Sequence, residues 1–135
     1  MTSSAPRVSV LIPTYDRRSW LAGAVESVLG QTFRDLEVIV CDDGSTDDPS
    51  DLLSGYGARV RHLRFEHTGS PGGTRNRGLE VARGELIAFL DDDDLWDPEK
   101  LALQVAVMDA NPAAGLVYTD ARLLLPDGSE SDPVL

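Results

Sequence analysis

Apolar residues follow two alternating patterns along this 135-residue chain, and each pattern predicts one kind of element. Short, nearly continuous apolar runs predict buried strands, whereas apolar residues at helical spacing predict amphipathic helices. The predicted strands are 8–12, 36–41, 60–65, 86–90 and 115–118, the last of which leads to a turn at 126–129. The predicted helices are 20–29, 50–53, 74–83 and 98–110.

Strands that alternate with helices predict an α/β fold: a Rossmann-like, mostly parallel sheet with helices on both faces. If the first three strands wind in one direction and the fourth returns to the far side of strand one, the strand order is 3-2-1-4. Ligands in such sheets bind at the carboxyl ends of the strands beside the switch point. We expect a single domain at 8–135, preceded by a polar, frayed tail at 1–7.

Composition narrows the classes of partner. The chain has 12 basic and 23 acidic residues, a net charge of −11 and a pI near 4.4. This acidity argues against a nucleic-acid or anionic membrane partner and favours cations, or anions that cations bring with them. The single cysteine, Cys41, excludes a disulfide within the chain and makes the reducing cytoplasm the expected compartment. The apolar runs are shorter than the roughly 20 residues that span a bilayer.

Four consecutive aspartates, 91–94, directly follow the fourth predicted strand. On an extended segment Asp91 and Asp93 point to one side, where water and the oxygens of a diphosphate would complete the octahedral shell of Mg²⁺ or Mn²⁺. The alternative is a solvated acidic turn that caps the next helix, and we assign that role to Asp94 and Asp97. The position at a strand end favours a functional role for residues 91–93.

Two further residues lie at the same predicted edge of the sheet, and each has two open interpretations. Asp43 either caps the next helix or accepts hydrogen bonds from the N–H groups of a nucleobase. Tyr15 either stacks on a base or closes the core as a lid.

The basic residues Arg75 and Arg77 follow a glycine-rich loop near a helix N-terminus, where guanidinium and free N–H groups both favour phosphate. We expect one of the two to bind a diphosphate and the other to lie on the surface. His62 and His67 lack a second ligand at metal-binding spacing and are predicted to be structural or solvent-exposed. Trp96 is predicted to pack under the acidic loop.

In order and spacing, four segments resemble the nucleotide-binding portion of a family 2 glycosyltransferase with the GT-A fold. They are VSVLIPTYDR at 8–17, ESVLGQTFRDLEVIVCDDGSTDD at 26–48, the loosely matched G-x-x-x-x-R-N-x-G segment at 69–78, and GELIAFLDDDDLWDPEKL at 84–101. The resemblance covers nearly the whole chain.

The resemblance implies a nucleotide-diphosphate-sugar donor at the predicted edge. Pro13, Thr14 and Tyr15 would line the nucleoside pocket, Asp43 would bind the base, and Arg75 would approach the diphosphate.

The resemblance also implies roles for the acidic block, the four aspartates at 91–94. Asp92 corresponds to a carboxylate on the ribose or sugar side of the donor. Asp91 and Asp93 correspond to the D-x-D pair that binds Mn²⁺ or Mg²⁺, with Asp93 the more direct ligand.

Family members continue well past this point, and their remaining part carries the acceptor site and the general base of inverting transfer. The resemblance therefore implies a truncated donor domain, with a general base beyond residue 135, an unknown saccharide, lipid or other hydroxyl acceptor, and exposed apolar surface that favours self-association. A non-catalytic nucleotide- or metal-binding module that needs a partner is the alternative. A nucleotidyltransferase is a weaker third option, because this chain has Pro-Thr-Tyr where such enzymes carry a glycine-rich basic loop.

Overall fold

The computed structural model describes residues 4–135, so residues 1–3 of the predicted tail lie outside the described part. The elements, in chain order, are β1 (Val8–Thr14), α1 (Arg18–Leu29), β2 (Leu36–Asp42), α2 (Ser50–Ser54), β3 (Val60–Arg64), α3 (Pro71–Val81), β4 (Leu86–Phe89) and α4 (Lys100–Ala110). A short 3₁₀ turn, Gly57–Arg59, precedes β3. The chain divides into two compact units, the first ending at Leu101 and the second comprising residues 102–135.

The first unit contains a four-stranded parallel sheet with the order β3-β2-β1-β4. This confirms the predicted α/β fold and the 3-2-1-4 order. The connections from β1 to β2 and from β3 to β4 run in opposite directions across the sheet. The right-handed rule for such crossovers then places α1 and α3 on opposite faces of the sheet.

The core lies along the two central strands, β1 and β2, where both faces are covered. Val10, Ile12, Val38 and Val40 are completely buried, which explains why these strands appear in the sequence as continuous apolar runs. Cys41 is also buried, and burial raises the pKa of its thiol to about 11. Its predicted packing role agrees with this environment.

The edge strand β4 is less buried than its sequence predicts. Ile87 and Phe89 are 36% and 51% exposed, because within residues 4–135 the strand pairs on one side only, with β1. The strand also ends at Phe89 rather than at Leu90. The apolar run therefore predicted a strand correctly, but its prediction that the strand is buried was wrong.

The predicted fifth strand at 115–118 is wrong. Within residues 102–135 the only β pairing is an isolated bridge between Leu124 and Glu130, and Leu116 and Tyr118 are 79% and 78% exposed. A strand requires a hydrogen-bonding neighbour, and residues 115–118 have none among the described residues. The predicted turn at 126–129 is present, since the Gly128 amide donates to the Leu125 carbonyl at 2.8 Å.

Three helices begin at other residues than predicted, and the first of them, α1, begins at Arg18 rather than at residue 20. Helix α3 starts at Pro71 because Ser70 accepts a 3.0 Å hydrogen bond from the Gly73 amide and proline suits the first helical position. Helix α4 starts at Lys100, and Asp97 accepts from the Glu99 amide at 3.0 Å in the preceding turn. No helix in residues 4–135 is long and apolar enough to cross a membrane.

Candidate functional site

A cavity of about 430 Å³ opens at the carboxyl ends of β1, β2 and β4. It is lined by Pro13, Thr14, Tyr15, Arg17, Asp43, His67, Gly69, Pro71, Thr74, Arg75, Asp91, Asp92 and Asp93. All eight residues that were nominated from the sequence line this cavity, although they come from four separate segments of the chain. The strand order brings these segments together, because β4 returns beside β1 and places residues 91–93 next to residues 13–15.

Asp92 is the buried member of the acidic block, with 6% of its surface exposed. Its Oδ2 accepts a 2.7 Å hydrogen bond from Thr14 Oγ1, and its Oδ1 lies 3.6 Å from Arg17 Nη1. Burial raises the pKa of Asp92, and the Thr14 hydroxyl and the Arg17 charge oppose that rise. The carboxylate is thus oriented by β1 at the base of the cavity.

Asp91 and Asp93 do not lie on an extended segment, contrary to the prediction. The Asp94 amide donates to the Asp91 carbonyl at 3.1 Å, which closes a tight turn. Asp91 Oδ1 lies 2.5 Å from Arg75 Nη2, whereas Asp93 Oδ2 lies 2.5 Å from Arg17 Nη1. The two carboxylates are therefore each paired with an arginine from a different element.

The acidic turn fits a divalent cation only as a two-carboxylate site. Within residues 4–135 no group of three or more His, Cys, Asp and Glu side chains is placed to bind a metal. The side chains of Asp91 and Asp93 are 52% and 44% exposed, so their oxygens are accessible from the cavity. Oxygen donors of this kind suit Mg²⁺ or Mn²⁺ that takes its remaining ligands from water and phosphate.

Asp43 does not cap the following helix. Its Oδ1 accepts from the amide and the hydroxyl of Thr68 at 2.9 and 3.0 Å, and its Oδ2 accepts from the Gly69 amide at 2.9 Å. Burial by itself raises the pKa of Asp43, but these hydrogen bonds outweigh it and the pKa lies below its ordinary value. The local turn is closed by Asp42 instead, which accepts from the Ser45 amide at 2.8 Å. Asp43 is therefore an ionised acceptor that ties the loop at 68–69 to the end of β2.

Tyr15 and His67 form a stacked pair, with ring centroids 4.1 Å apart and an angle of 20° between the rings. Tyr15 is 39% exposed, so it is not a buried lid of the core. His67 Nδ1 lies 3.0 Å from the Asp43 carbonyl oxygen. His67 lines the cavity although it was predicted only to be structural or solvent-exposed, because its place there depends on the loop that Asp43 binds.

Arg17 also lines the cavity without having been nominated from the sequence. The preceding residue, Asp16, has a φ of 51°, and its Oδ1 accepts from the Thr46 amide at 2.6 Å. Its own amide donates to Ser45 Oγ at 3.0 Å. These bonds join the loop after β1 to the loop after β2 and direct Arg17 toward the cavity. The sequence feature that could have indicated Arg17 is its position shortly after the end of a predicted strand.

The two arginines of α3 have different surroundings. Arg75 lines the cavity, whereas the guanidinium of Arg77 lies over the Phe65 ring, 4.7 Å from its centroid. His62 has a structural role, since its Nε2 lies 3.0 Å from the buried Asp42 Oδ2. Trp96 is half-buried, and its amide donates to Ser27 Oγ at 3.2 Å.

A parallel sheet with this strand order and a charged cavity at its switch point is typical of nucleotide-binding α/β proteins. The chain belongs to the family described as Glycosyl transferase family 2, which matches residues 9–120. The match runs from the second residue of β1 to beyond the end of α4 and includes every residue that lines the cavity.

Three relatives show which proteins this chain is similar to. The Escherichia coli UDP-Glc:alpha-D-GlcNAc-diphosphoundecaprenol beta-1,3-glucosyltransferase WfaP is 37% identical over 103 residues, which are 76% of this chain and 41% of WfaP. The crystal structure of S. aureus TarS 1–349 in complex with UDP-GlcNAc has a TM-score of 0.74 at 31% identity, covering 78% of this chain and 32% of TarS. The mannosyltransferase PcManGT from Pyrobaculum calidifontis, in complex with GDP-Man and Mn²⁺, has a TM-score of 0.70 at 28% identity, covering 84% of this chain and 35% of PcManGT.

The chain spans 15–53% of the length of the first curated relatives that it matches. The relatives are therefore considerably longer proteins, and this chain corresponds to one portion of each.

Proposed function

We propose that residues 8–135 are the donor-binding portion of a glycosyltransferase that binds a nucleoside-diphosphate sugar together with Mn²⁺ or Mg²⁺ and transfers the sugar with inversion. One observation carries the proposal: a single cavity combines a base-side group, Tyr15 and Asp43, with a phosphate-side group of two arginines and two accessible carboxylates. The bound UDP-GlcNAc of TarS and the bound GDP-Man and Mn²⁺ of PcManGT support the donor class.

The nucleoside would lie along the loop after β1, against Pro13, Thr14 and Tyr15. The exposed ring of Tyr15 offers a stacking surface for the base. Asp43 is ionised and acts only as an acceptor, so it selects a base that presents an N–H group. Its oxygens accept three hydrogen bonds from residues 68 and 69, and His67 Nδ1 lies 3.0 Å from Oδ2. The N–H group of a base would therefore take the acceptor position that His67 now approaches.

The diphosphate would lie between α3 and the acidic turn. Arg75 would donate to phosphate oxygens once its ion pair with Asp91 is broken. Asp91 and Asp93 would bind the cation, and Asp92 would accept a hydrogen bond from the ribose or the sugar through its Oδ1, since Oδ2 already accepts from Thr14. When bound, a divalent cation neutralises the charge of a departing diphosphate.

The acceptor site and the general base belong, in this proposal, to a part of the enzyme outside residues 8–135. The greater length of the relatives supports this division. The name of WfaP specifies a lipid-linked saccharide diphosphate as acceptor, which supports a hydroxyl of that class here. We propose the cytoplasm as the compartment, in keeping with the free, buried thiol of Cys41.

Thermal denaturation with UDP, GDP, dTDP and CDP, each with and without Mn²⁺, tests the donor site. A nucleotide present at 100 times its Kd stabilises the folded chain by about 2.7 kcal/mol, so at least one nucleotide should raise Tm only when Mn²⁺ is present. Asp93→Ala should abolish this rise. Asp94→Ala is the matched control, because Asp94 does not line the cavity.

If no nucleotide stabilises the parent chain in a Mn²⁺-dependent manner, or if Asp93→Ala responds as the parent does, the metal assignment is wrong. Donor hydrolysis by the 135-residue polypeptide then distinguishes a catalytic portion from a module that only binds. Appreciable Mn²⁺-dependent turnover would exclude the binding-only alternative.

A further inference from the structure

Arg17, the residue before α1, contacts the acidic turn at a different carboxylate from the one that Arg75 contacts, and its individual role in the donor site follows from that contact. Its Nη1 lies 2.5 Å from Asp93 Oδ2 and 3.6 Å from Asp92 Oδ1. Asp93 is also the carboxylate assigned as the more direct ligand of the cation. The guanidinium and the cation would therefore require the same oxygen.

Hydrogen bonds hold the backbone of Arg17 in place, whereas its side chain is about half exposed to solvent. The Arg17 carbonyl accepts from the amides of Trp20 and Leu21 at 2.9 and 3.0 Å, at the start of α1. Asp16 is held by hydrogen bonds with Ser45 and Thr46. The Arg17 side chain is 52% exposed, so its guanidinium can change partner without a change in the fold.

The ion pair between Arg17 and Asp93 is weak enough for a divalent cation to displace the guanidinium from the carboxylate. Both side chains are about half exposed, and a single nitrogen makes the contact. Exposed ion pairs of this type contribute little to stability, because water screens them. A divalent ion carries twice the charge and binds a carboxylate oxygen directly.

Displaced from Asp93, the guanidinium would remain inside the cavity. Asp92 Oδ1 already lies 3.6 Å from Nη1, and Asp92 is fixed by its buried bond to Thr14. A guanidinium kept there faces the phosphate side of the proposed donor, and phosphate oxygens are among its best partners.

We infer that Arg17 occupies Asp93 in the donor-free chain and transfers to the donor's phosphate oxygens when the divalent cation takes its place on Asp93. This inference rests on the proposed function. Arg17 then has effects of opposite sign: it opposes binding of the cation alone, and it favours binding of a nucleoside diphosphate together with the cation.

The first effect, on binding of the cation alone, is tested by Mn²⁺ titration, followed through the electron paramagnetic resonance signal of the free ion. The parent chain, Arg17→Gln and Arg18→Gln are compared without nucleotide. Arg17→Gln should bind Mn²⁺ about twofold to fivefold more tightly than the parent, the factor that corresponds to an exposed ion pair. Arg18→Gln is the matched control, because Arg18 pairs with Asp51 and does not line the cavity.

Isothermal titration of UDP and of GDP at saturating Mn²⁺ tests the second effect, the one on nucleotide binding. Arg17→Gln should bind the preferred nucleotide at least about tenfold more weakly than the parent, which corresponds to the loss of one charge-assisted hydrogen bond. Arg18→Gln should match the parent.

The outcomes separate this inference from the proposed function. If the parent chain binds Mn²⁺ and Arg17→Gln has the parent's Mn²⁺ affinity, or a lower one, the exchange is wrong while the metal site stands. Tighter Mn²⁺ binding with unchanged nucleotide affinity also overturns the exchange. If the parent chain binds no Mn²⁺, both the inference and the metal part of the proposed function fail.

Discussion

Thr14 Oγ1 donates a 2.7 Å hydrogen bond to Asp92 Oδ2, joining residues 78 positions apart in the chain. Both residues are buried, with 4% and 6% of their surfaces exposed. A carboxylate removed from water needs hydrogen bonds to remain charged. This contact therefore links the end of β1 to the acidic turn and orients the turn toward the cavity.

Replacing Thr14 by Val should destabilise the chain by about 1–3 kcal/mol, because the buried acceptor loses its donor while the shape of the side chain is kept. Thr14→Ser, which keeps the hydroxyl, is the control and should lose much less. Urea unfolding of both variants measures the difference. Equal stability of the Val and Ser variants would show that the hydroxyl does not stabilise the turn.

Asp43→Ala should free the loop at 68–69, since the Thr68 and Gly69 amides both donate to the Asp43 carboxylate. Amide hydrogen exchange at these two positions should accelerate, whereas the Thr74 amide, which donates to the Ser70 carbonyl within the start of α3, should exchange as before. We expect a stability loss of about 2 kcal/mol from the charged hydrogen bonds. Unchanged exchange at 68 and 69 would contradict the assigned role of Asp43.

Glu37→Gln should destabilise the chain in a pH-dependent manner. Glu37 accepts from Ser9 Oγ at 2.6 Å, from the Arg83 amide at 2.8 Å and from Arg83 Nη2 at 2.9 Å. Burial alone raises the pKa of Glu37, but these partners outweigh it and lower the pKa below the ordinary 4.5. A carboxyl group with a lowered folded-state pKa stabilises the fold above its unfolded-state pKa, and this stabilisation is lost as the pH falls through the folded-state value.

The Tm of Glu37→Gln should therefore lie below that of the parent at pH 7, by an amount that corresponds to about 1–3 kcal/mol. The difference should persist down to about pH 4.5 and narrow at lower pH. Nucleotide binding should be unaffected, because Glu37 lies near the start of β2 and the cavity lies at its end. A gap in Tm that is constant from pH 7 to pH 3 would contradict the ionised state of Glu37.

Gly78→Ala tests the close packing of α3 on the sheet. A Cβ at this position would lie 2.5 Å from Cys41 Sγ and 3.3 Å from Leu11 Cδ1. We expect a loss of about 1–3 kcal/mol from overpacking. Cys41→Ala makes room for the added methyl group, so the double variant should lose less than the sum of the two single losses in denaturant unfolding. Strict additivity would show that Gly78 is not required for the contact with Cys41.

The parallel sheet and its edge were predictable because the evidence for them is local. Each apolar run gives a strand, each helical pattern gives a crossover, and the right-handed rule then orders the strands. Residues 13–15, 43, 75 and 91–93 consequently line one cavity, as the predicted topology requires. The family resemblance added the roles of these residues, which no periodicity contains.

The failures have one physical cause, which is that pairing and burial depend on distant neighbours. The run at 86–90 has the composition of a buried strand but forms the exposed edge strand β4. The run at 115–118 has strand-like residues but no partner among the described residues. Asp91 and Asp93 were assigned to an extended segment, whereas a tight turn directs them to different arginines.

The sequence by itself determined the class of fold, the strand order and the identity of the acidic residues at the sheet edge, since these follow from local pattern and chain direction. Only the tertiary structure decided which charges meet. It paired Asp93 with Arg17 and Asp91 with Arg75, buried Asp92 against Thr14, and brought His67 to Tyr15. Those contacts join segments far apart in the chain, and their geometry depends on the whole packed sheet rather than on any single stretch of residues.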